Sequence, residues 1–394
     1  MTIDKNKSDA VLDKEYVKHN SFVNLNISNS HEEEENIRKK IKLSLENSKR
    51  EKNLSSYKDQ VLEKVFEDLF LIQNKTNETF KLTPNVIAEI KTLENEQIPN
   101  YLFHRYRYEI YPKLNKVDDY PPYLQIEPSS ICNYRCVFCF ETDKSFTAKK
   151  SGHMGTTTLD LYKKIIDEAE GNIEFISLAS RGEPLVSKEI IPMLRYSEKK
   201  FLNLKMNTNA SLLTEKISHA ILSDSIKTLV FSADAADPEL YKKLRVNGSL
   251  EKILKNIEMF NKIKEKNYPK SKIITRVSGV KVNEQQNFDS MKKLWSGLVD
   301  QVAFVDYNPW ESVYTTPKND IIKPCSDLWR RMFVWWDGKV NPCDTDYKSV
   351  LSSETFPKAS IKEIWTGNNY KKLRETHKTG KRQTLFPCKS CTLI

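Results

Sequence analysis

The sequence predicts an α/β fold with parallel strands. From Pro121 onward short apolar runs alternate with amphipathic helical segments, the alternation completes six strand–helix units, and it stops after Asp306, where a cysteine-bearing segment of different character begins. Strands separated by helices are joined by right-handed crossovers and lie parallel, which leaves an open barrel or a doubly wound sheet. Strand composition does not choose between the two. In both, functional groups collect in the loops at the C-terminal ends of the strands.

Residues 1–30 lack apolar periodicity and read as a flexible tail. From His31 the charge-dense HEEEENIRKKIKLSLENSKREKN and then YKDQVLEKVFEDLFLI read as helical, with Val61, Val65, Leu69 and Ile72 recurring at helical spacing, so residues 31–115 form a helical extension able to dock on another surface. Strands are predicted at Tyr123–Ile126, Ile173–Leu178, Leu204–Asn207, Thr228–Ser232, Ile273–Val280 and Gln301–Val305. Between them lie helices at Leu159–Ala169 and near Lys188–Lys200, Thr214–Ser223, Leu250–Lys266 and Asn287–Trp295, the first carrying Leu159, Tyr162, Ile165, Ile166 and Ala169 on one face. Beyond Asp306, MFVWWDGKVNPC reads as a β-hairpin turning at Asp337-Gly338, and ASIKEIWTGNNYKKLRETHK as one helix, together a small domain closed by cysteines.

A chain of 394 residues accommodates one barrel-sized domain with smaller pieces at either end. No segment has the roughly 20 uncharged apolar residues of a membrane span, and the polar start MTIDKNKSDAVLDKEYVKHN has neither a signal-peptide core nor an Arg-rich transit pattern, so a cytoplasmic, non-membrane protein is expected. The net charge of +10 is lysine scattered among Asn, Ser and Glu, without a basic-aromatic stripe. It points to a solvated surface with some attraction for anionic substrates rather than to nucleic acid. Seven cysteines, three within eight positions and four near the end, argue for metal ligation or redox chemistry and against a disulfide framework.

In SSICNYRCVFCF, Cys132, Cys136 and Cys139 follow C-x3-C-x2-C directly after the first strand. Such a loop can wrap three thiolates around one corner of a cubane cluster and leave its fourth iron without a protein ligand. The competing readings are a structural zinc site, which normally requires a fourth ligand nearby, and three unrelated buried cysteines. The spacing, with aromatic Phe138 before the last cysteine, resembles the radical S-adenosylmethionine superfamily.

That resemblance implies a partial (β/α)6 TIM-like barrel over residues 116–310. It also implies a four-iron cluster on the three cysteines, whose open iron binds S-adenosylmethionine and cleaves it reductively to a 5′-deoxyadenosyl radical. Further segments are similar to the family's. Ser180-Arg181-Gly182-Glu183-Pro184 corresponds to its Gly-Gly-Glu-Pro run, with Arg181 in place of the first glycine, and Thr208-Asn209-Ala210 and Ser232-Ala233-Asp234 correspond to loop segments near the cofactor. On this basis Phe138, Gly182, Glu183, Pro184, Asn209, Ser232, Asp234 and Arg276 are expected to contact S-adenosylmethionine, Ser232 and Asp234 at the ribose and Arg276 at the methionine carboxylate. Taken from the residues alone, Asp234 serves equally as a helix cap and Arg276 as a structural ion pair.

The later cysteines run Cys325, Gly338 at the hairpin turn, Cys343, then Cys388-x2-Cys391. Four thiolates suit one zinc ion or one iron–sulfur cluster. With the SIKEIW segment, residues 311–394 resemble the SPASM/twitch extension of the same superfamily in its four-cysteine form, similar in spacing to the aminocyclitol dehydrogenase of butirosin biosynthesis. The resemblance implies an auxiliary four-iron cluster without an open site, suited to electron transfer, and a reducing partner such as flavodoxin or ferredoxin. It further implies hydrogen abstraction from a sugar, aminosugar or cyclitol, nucleotide-linked forms included, with net dehydrogenation. A peptide- or protein-modifying maturase is the alternative within the superfamily; a non-catalytic zinc or nucleic-acid module is the alternative outside it. Candidate substrate contacts are Asp306, Asn308, Trp310, Glu311 and Tyr314, while Trp329, Arg330, Arg331, Trp335 and Trp336 are placed at the join to the small domain, the tryptophans mainly as packing.

Overall fold

The computed structural model describes residues 22–23, 31–51, 55–72, 76–223 and 225–394. The extension forms helices His31–Glu51, Ser56–Phe66, Pro84–Thr92 and Ile98–Leu114. Ser55 and Thr83 cap the second and third by accepting bonds from the Lys58 and Val86 amides, and Pro84 occupies a first-turn position where its missing N–H costs nothing. Val61, Val65 and Leu69 are buried as their spacing requires, but Ile72 is exposed because the chain leaves the helix through a π-turn at Glu67–Leu71.

The strands are β1 (Phe22–Val23), β2 (Tyr123–Ile126), β3 (Arg135–Cys136), β4 (Phe175–Leu178), β5 (Asn203–Thr208), β6 (Thr228–Ser232), β7 (Arg245–Val246), β8 (Ile274–Lys281), β9 (Gln301–Asp306), β10 (Arg331–Val334), β11 (Lys339–Asn341) and β12 (Glu354–Thr355). The main sheet runs β1-β9-β8-β6-β5-β4-β2-β10-β11-β12, and β2, β4, β5, β6, β8 and β9 are the parallel strands of a partial TIM-like barrel. β3 and β7 form a separate antiparallel pair. The tail expected at residues 1–30 lies outside the described residues except for β1, which pairs antiparallel with β9.

Side chains on each barrel strand alternate between two environments. Ile126, Ile176, Leu178, Leu204, Met206, Leu229, Phe231 and Val277 face outward into a core shared with the helices, including Tyr162, Ile165, Ile166 and Ala169. The opposite face carries Gln125, Ser177, Lys205, Asn207, Ser232, Arg276, Ser278 and Gln301, so the barrel interior is polar. Its N-terminal end is closed by helix Ile98–Leu114, where the His104 ring stacks on Phe175 at 3.6 Å between centroids and buried Arg107 pairs with Asp118 at 2.7 Å and Glu174 at 3.4 Å.

Two expectations for the C-terminal region need correction. The predicted single helix is two, Ile361–Trp365 and Asn368–Lys378, because Gly367 adopts an extended conformation between them and a Cβ there would lie 2.7 Å from the Glu363 carbonyl oxygen. The hairpin also does not stand apart: β10 runs parallel to β2, with Arg331 opposite Tyr123 and Val334 opposite Ile126, and Met332 and Val334 enter the barrel core. The Gly338 turn has φ +82°, as an Asp-Gly hairpin needs. Among the described residues no helix is long and apolar enough to cross a membrane.

Candidate active site and auxiliary cysteine site

The loop after β2 carries the first cysteine set. Burial pushes the Cys132 thiol up to about 12 and raises Cys136 and Cys139, and Cys139 is raised further by the two others, so the three share one neighbourhood. Left alone, such thiols stay protonated; a bound cationic centre would hold them as thiolates. Hydrogen-bond donors are directed at the sulfurs: the Tyr134 amide lies 3.4 Å from Cys132 Sγ, Asn209 Nδ2 4.0 Å from the same atom, and an Arg245 guanidinium nitrogen 3.8 Å from Cys136 Sγ. This donor set fits an iron–sulfur cluster.

The segment after β4 is shaped against that loop. A Cβ on Gly182 would sit 2.5 Å from the Ser129 carbonyl oxygen, and the Glu183 amide donates to the Ile131 carbonyl at 3.0 Å, so only glycine permits the two backbones to meet. Ser180 holds φ +144°, a conformation that favours glycine, and its buried hydroxyl has no hydrogen-bond partner among the described residues. Strain and an unmet polar atom beside the cysteine loop fit a ligand-binding turn. Pro184 begins a short 3-10 turn behind it.

Buried Glu183 accepts from Thr208 Oγ1 at 2.6 Å, the Asn209 amide at 2.7 Å and the Leu185 amide at 3.1 Å. Its carboxylate therefore ties the β4 and β5 loops together. Asn209 Nδ2 in turn donates to Asn133 Oδ1 at 3.0 Å, and Asn133 Nδ2 to Ser211 at 2.8 Å, joining the β5 loop to the cysteine loop. Phe138 is buried with the Arg245 guanidinium over its ring, and with Val280, Val305, Asp306, Tyr307, Asn308, Trp310, Thr345 and Leu393 it lines a cavity at the C-terminal ends of β8 and β9. Of the candidate substrate contacts, Asp306, Asn308 and Trp310 thus reach a cavity, whereas Glu311 is bonded to Tyr307, and Tyr314 donates to Asp346 at 2.6 Å.

Two expected cofactor contacts, Asp234 and Arg276, are engaged by protein partners. Asp234 is fully buried with both oxygens engaged, one by Arg245 Nε at 2.5 Å and the other by the Val280 amide at 2.7 Å, and Arg245 joins it to the cysteine loop through Cys136. It is not a helix cap either; Asp237 caps the helix from Pro238. Arg276 lies near the N-terminal start of β8, donates to Gln301 Oε1 at 2.7 Å and feels Glu89 and Arg105 of the extension, so it is not gathered with the cysteine loop. Ser232 ends β6 opposite Ser278, facing the interior.

Arg181, in the position of a family glycine, is buried and forked onto Glu127, Nε to Oε1 at 2.7 Å and Nη2 to Oε2 at 2.6 Å. It donates to the Tyr347 carbonyl at 2.9 Å and lies 4.3 Å over the Trp335 ring, and Glu127 also accepts from the Trp336 amide at 3.1 Å. The pair fastens the barrel to the C-terminal region. Trp329 and Trp335 are buried packing residues, and Trp336 covers Gly155 and donates to the His153 carbonyl at 2.9 Å.

The second set, Cys325, Cys343, Cys388 and Cys391, shares one neighbourhood in which the thiols act on one another, although among the described residues no three His, Cys, Asp or Glu side chains stand close enough to hold a single metal ion. Cys343 is raised by burial and also by the other three thiols, and Cys325 is pushed up to about 12 by burial. Arg382, almost wholly buried, donates to the carbonyls of Lys323 and Leu393 at 2.9 Å and of Cys391 at 2.8 Å, so one guanidinium holds the Cys388–Cys391 turn against the approach to Cys325. His377 Nδ1 accepts from the Cys325 amide at 3.1 Å, which puts its proton on Nε2, and that buried nitrogen has no partner among the described residues. Four thiols with these supports fit a fully ligated cluster.

Residues 126–287 match the family described as Radical SAM superfamily, and residues 325–392 match SPASM, an iron-sulfur cluster-binding domain. The AdoMet-dependent heme synthase of Methanosarcina barkeri (strain Fusaro / DSM 804) is 30% identical over 143 residues, 36% of this chain and 40% of that protein, so the match spans two fifths of the relative's length. Among solved structures, Streptococcus suis SuiB aligns at TM-score 0.51 with 13% identity, covering 81% of this chain and 79% of that one. BtrN in complex with AdoMet and 2-DOIA aligns at TM-score 0.46 with 17% identity, covering 68% and 92%.

Proposed function

From a chain that joins a radical S-adenosylmethionine domain to a SPASM iron–sulfur domain, we infer an oxidoreductase that abstracts hydrogen from a sugar, aminosugar or cyclitol and completes a net dehydrogenation. When bound, the first cluster and S-adenosylmethionine supply the electron and the 5′-deoxyadenosyl radical that takes a hydrogen atom from carbon. Oxidation of a secondary alcohol then removes a second electron and the hydroxyl proton, yielding the ketone, methionine and 5′-deoxyadenosine. The observation that carries this reading is the complete four-thiol set, Cys325, Cys343, Cys388 and Cys391, which leaves an auxiliary cluster no position for substrate and suits it to accept that electron.

In this reading Cys132, Cys136 and Cys139 hold the first cluster, and Gly182, Glu183, Asn209 and the strained Ser180 shape the S-adenosylmethionine site. Phe138, Asp306, Asn308 and Trp310 wall the cavity mouth and exclude water from the reacting carbon. A reducing partner of the flavodoxin or ferredoxin type supplies the first electron. The described residues of the extension are helical and contain no hairpin between residues 31 and 115, which disfavours a leader-binding module and hence the peptide-maturase alternative.

The test is turnover of anaerobically reconstituted protein with site-deuterated sugars and cyclitols. Deuterium is expected in 5′-deoxyadenosine, with roughly eight irons per chain. Cys132→Ala should abolish cleavage of S-adenosylmethionine, whereas Cys388→Ala with Cys391→Ala should retain cleavage and lose the ketone. Stoichiometric zinc and no cleavage in the parental protein would end the proposal.

A further inference from the structure

Part of the barrel's inward face keeps accessible surface. Lys205, Asn207, Ser232, Ser278, Val280 and Val305 face inward and keep accessible surface, while their outward neighbours Leu204, Met206, Phe231, Val277 and Phe304 are buried. Strand register turns Lys205 inward, level with Ser177 on β4 and Thr228 on β6, and it keeps some accessible surface there. Among the described residues it has neither a hydrogen bond nor an ion pair. The charged groups that act on it are Arg276 from β8, Arg331 from β10 and Glu89 from helix Pro84–Thr92, two cations against one carboxylate. Two residues further along β5, the buried Asn207 Oδ1 also has no partner among the described residues.

We propose that this inward face lines the substrate site and that Lys205 is its anion-binding residue, so that the sugar-like substrate carries a phosphate or a carboxylate. The proposal rests on the dehydrogenase reading for the word substrate, but the anion site stands on the interior geometry alone. An enclosed ammonium without a counter-ion costs stability, and a protein retains such a group where a ligand completes it. Thr208 at the end of β5 is three residue steps from Lys205, roughly 10 Å at about 3.3 Å per step, and Thr208 Oγ1 is bonded to Glu183 of the S-adenosylmethionine turn. That span suits a single phosphorylated or acidic monosaccharide with its anion held deep and its reacting carbon near the cofactor. A cationic aminocyclitol would meet like charge.

Burial, reinforced by Arg276 and Arg331, lowers the Lys205 amine to about 7. Below that pH the amine is charged in both native and unfolded protein, and the desolvation cost is present in full; between about 7 and the ordinary lysine value the native amine is neutral and the cost fades. An anion should therefore stabilise the protein most at the acid side of neutrality, and less as pH rises through 7.

The experiment is thermal unfolding of reconstituted protein with S-adenosylmethionine, titrated with inorganic phosphate, acetate, or neutral glucose, against chloride at matched ionic strength. Phosphate or acetate is expected to raise the midpoint by a few degrees at pH 6.5 and much less at pH 9, with the larger effect identifying which oxyanion the site prefers. Lys205→Met should melt higher than the parental protein without anion and lose the anion response; Lys205→Arg should retain it. An equal response in Lys205→Met, or a lower midpoint for that variant without anion, overturns the proposal. None of these readings depends on cleavage of S-adenosylmethionine, so a failure of the dehydrogenase reading would be seen separately.

Discussion

Single atoms decide how the two cofactor loops meet. At Gly182 one methyl group is too much, because it would overlap backbone of the cysteine loop rather than a side chain that can turn away. Gly182→Ala should therefore cost about 1–3 kcal/mol as an overpacking change, and calorimetric binding of S-adenosylmethionine should weaken at least tenfold; unchanged binding would show that the contact is incidental. Arg245 acts on the same loop by charge. It is anchored by Asp234 at 2.5 Å and offers a guanidinium nitrogen to Cys136 Sγ at 3.8 Å. A cationic donor at a cluster thiolate favours the reduced state, so Arg245→Gln should shift the first cluster's midpoint potential to more negative values in a redox titration followed by electron paramagnetic resonance. Asp234→Asn, which loosens the anchor and keeps the guanidinium, should give a smaller shift.

At the scale of elements, the structure rests on turns and joins as much as on regular segments. Gly338 takes φ +82°, and a Cβ there would collide with the Phe356 carbonyl oxygen, so Gly338→Ala should lower the melting midpoint and the yield of reconstituted auxiliary cluster, with little effect on the first cluster's spectrum. This turn was legible from its Asp-Gly pair, and the six barrel strands from their apolar runs, since β-structure with one face in a core writes itself locally. The Glu127–Arg181 pairing was not legible: Arg181 stood out only as the replacement of a family glycine, Glu127 not at all, and only the fold shows that they are buried against each other. For Asp234 and Arg276 local grammar named suitable chemistry, but their partners, Arg245 and Gln301, are set by loop and strand register that no short motif encodes. Lys205 was hidden for a related reason, being one lysine in a lysine-rich chain until strand alternation turns it inward.

At the scale of the whole molecule, the auxiliary domain is part of the barrel's sheet. β10 covers the edge of β2, the strand that leads directly into the cysteine loop, and places Met332 and Val334 in the common core. The buried Glu127–Arg181 pair adds a bond across the same boundary through the Tyr347 carbonyl. Removing the C-terminal region would leave a parallel strand edge and an apolar face open, a combination that favours aggregation, and would take one neighbour from a fully desolvated guanidinium. A chain ending at residue 310 is therefore expected to be insoluble or unable to hold its first cluster, as judged by size-exclusion elution and iron content after reconstitution. Replacing all four auxiliary cysteines by serine in the full chain should instead preserve the join and leave the first cluster's iron in place. Breaking the pair with Arg181→Met strands the Glu127 carboxylate and should cost about 3–5 kcal/mol, while Glu127→Gln with Arg181→Met should recover much of that loss. If the shortened chain proved soluble, loaded its cluster and cleaved S-adenosylmethionine at the parental rate, the two domains would be neighbours without mechanical dependence, and the sheet continuity through β10 would have no bearing on the first site.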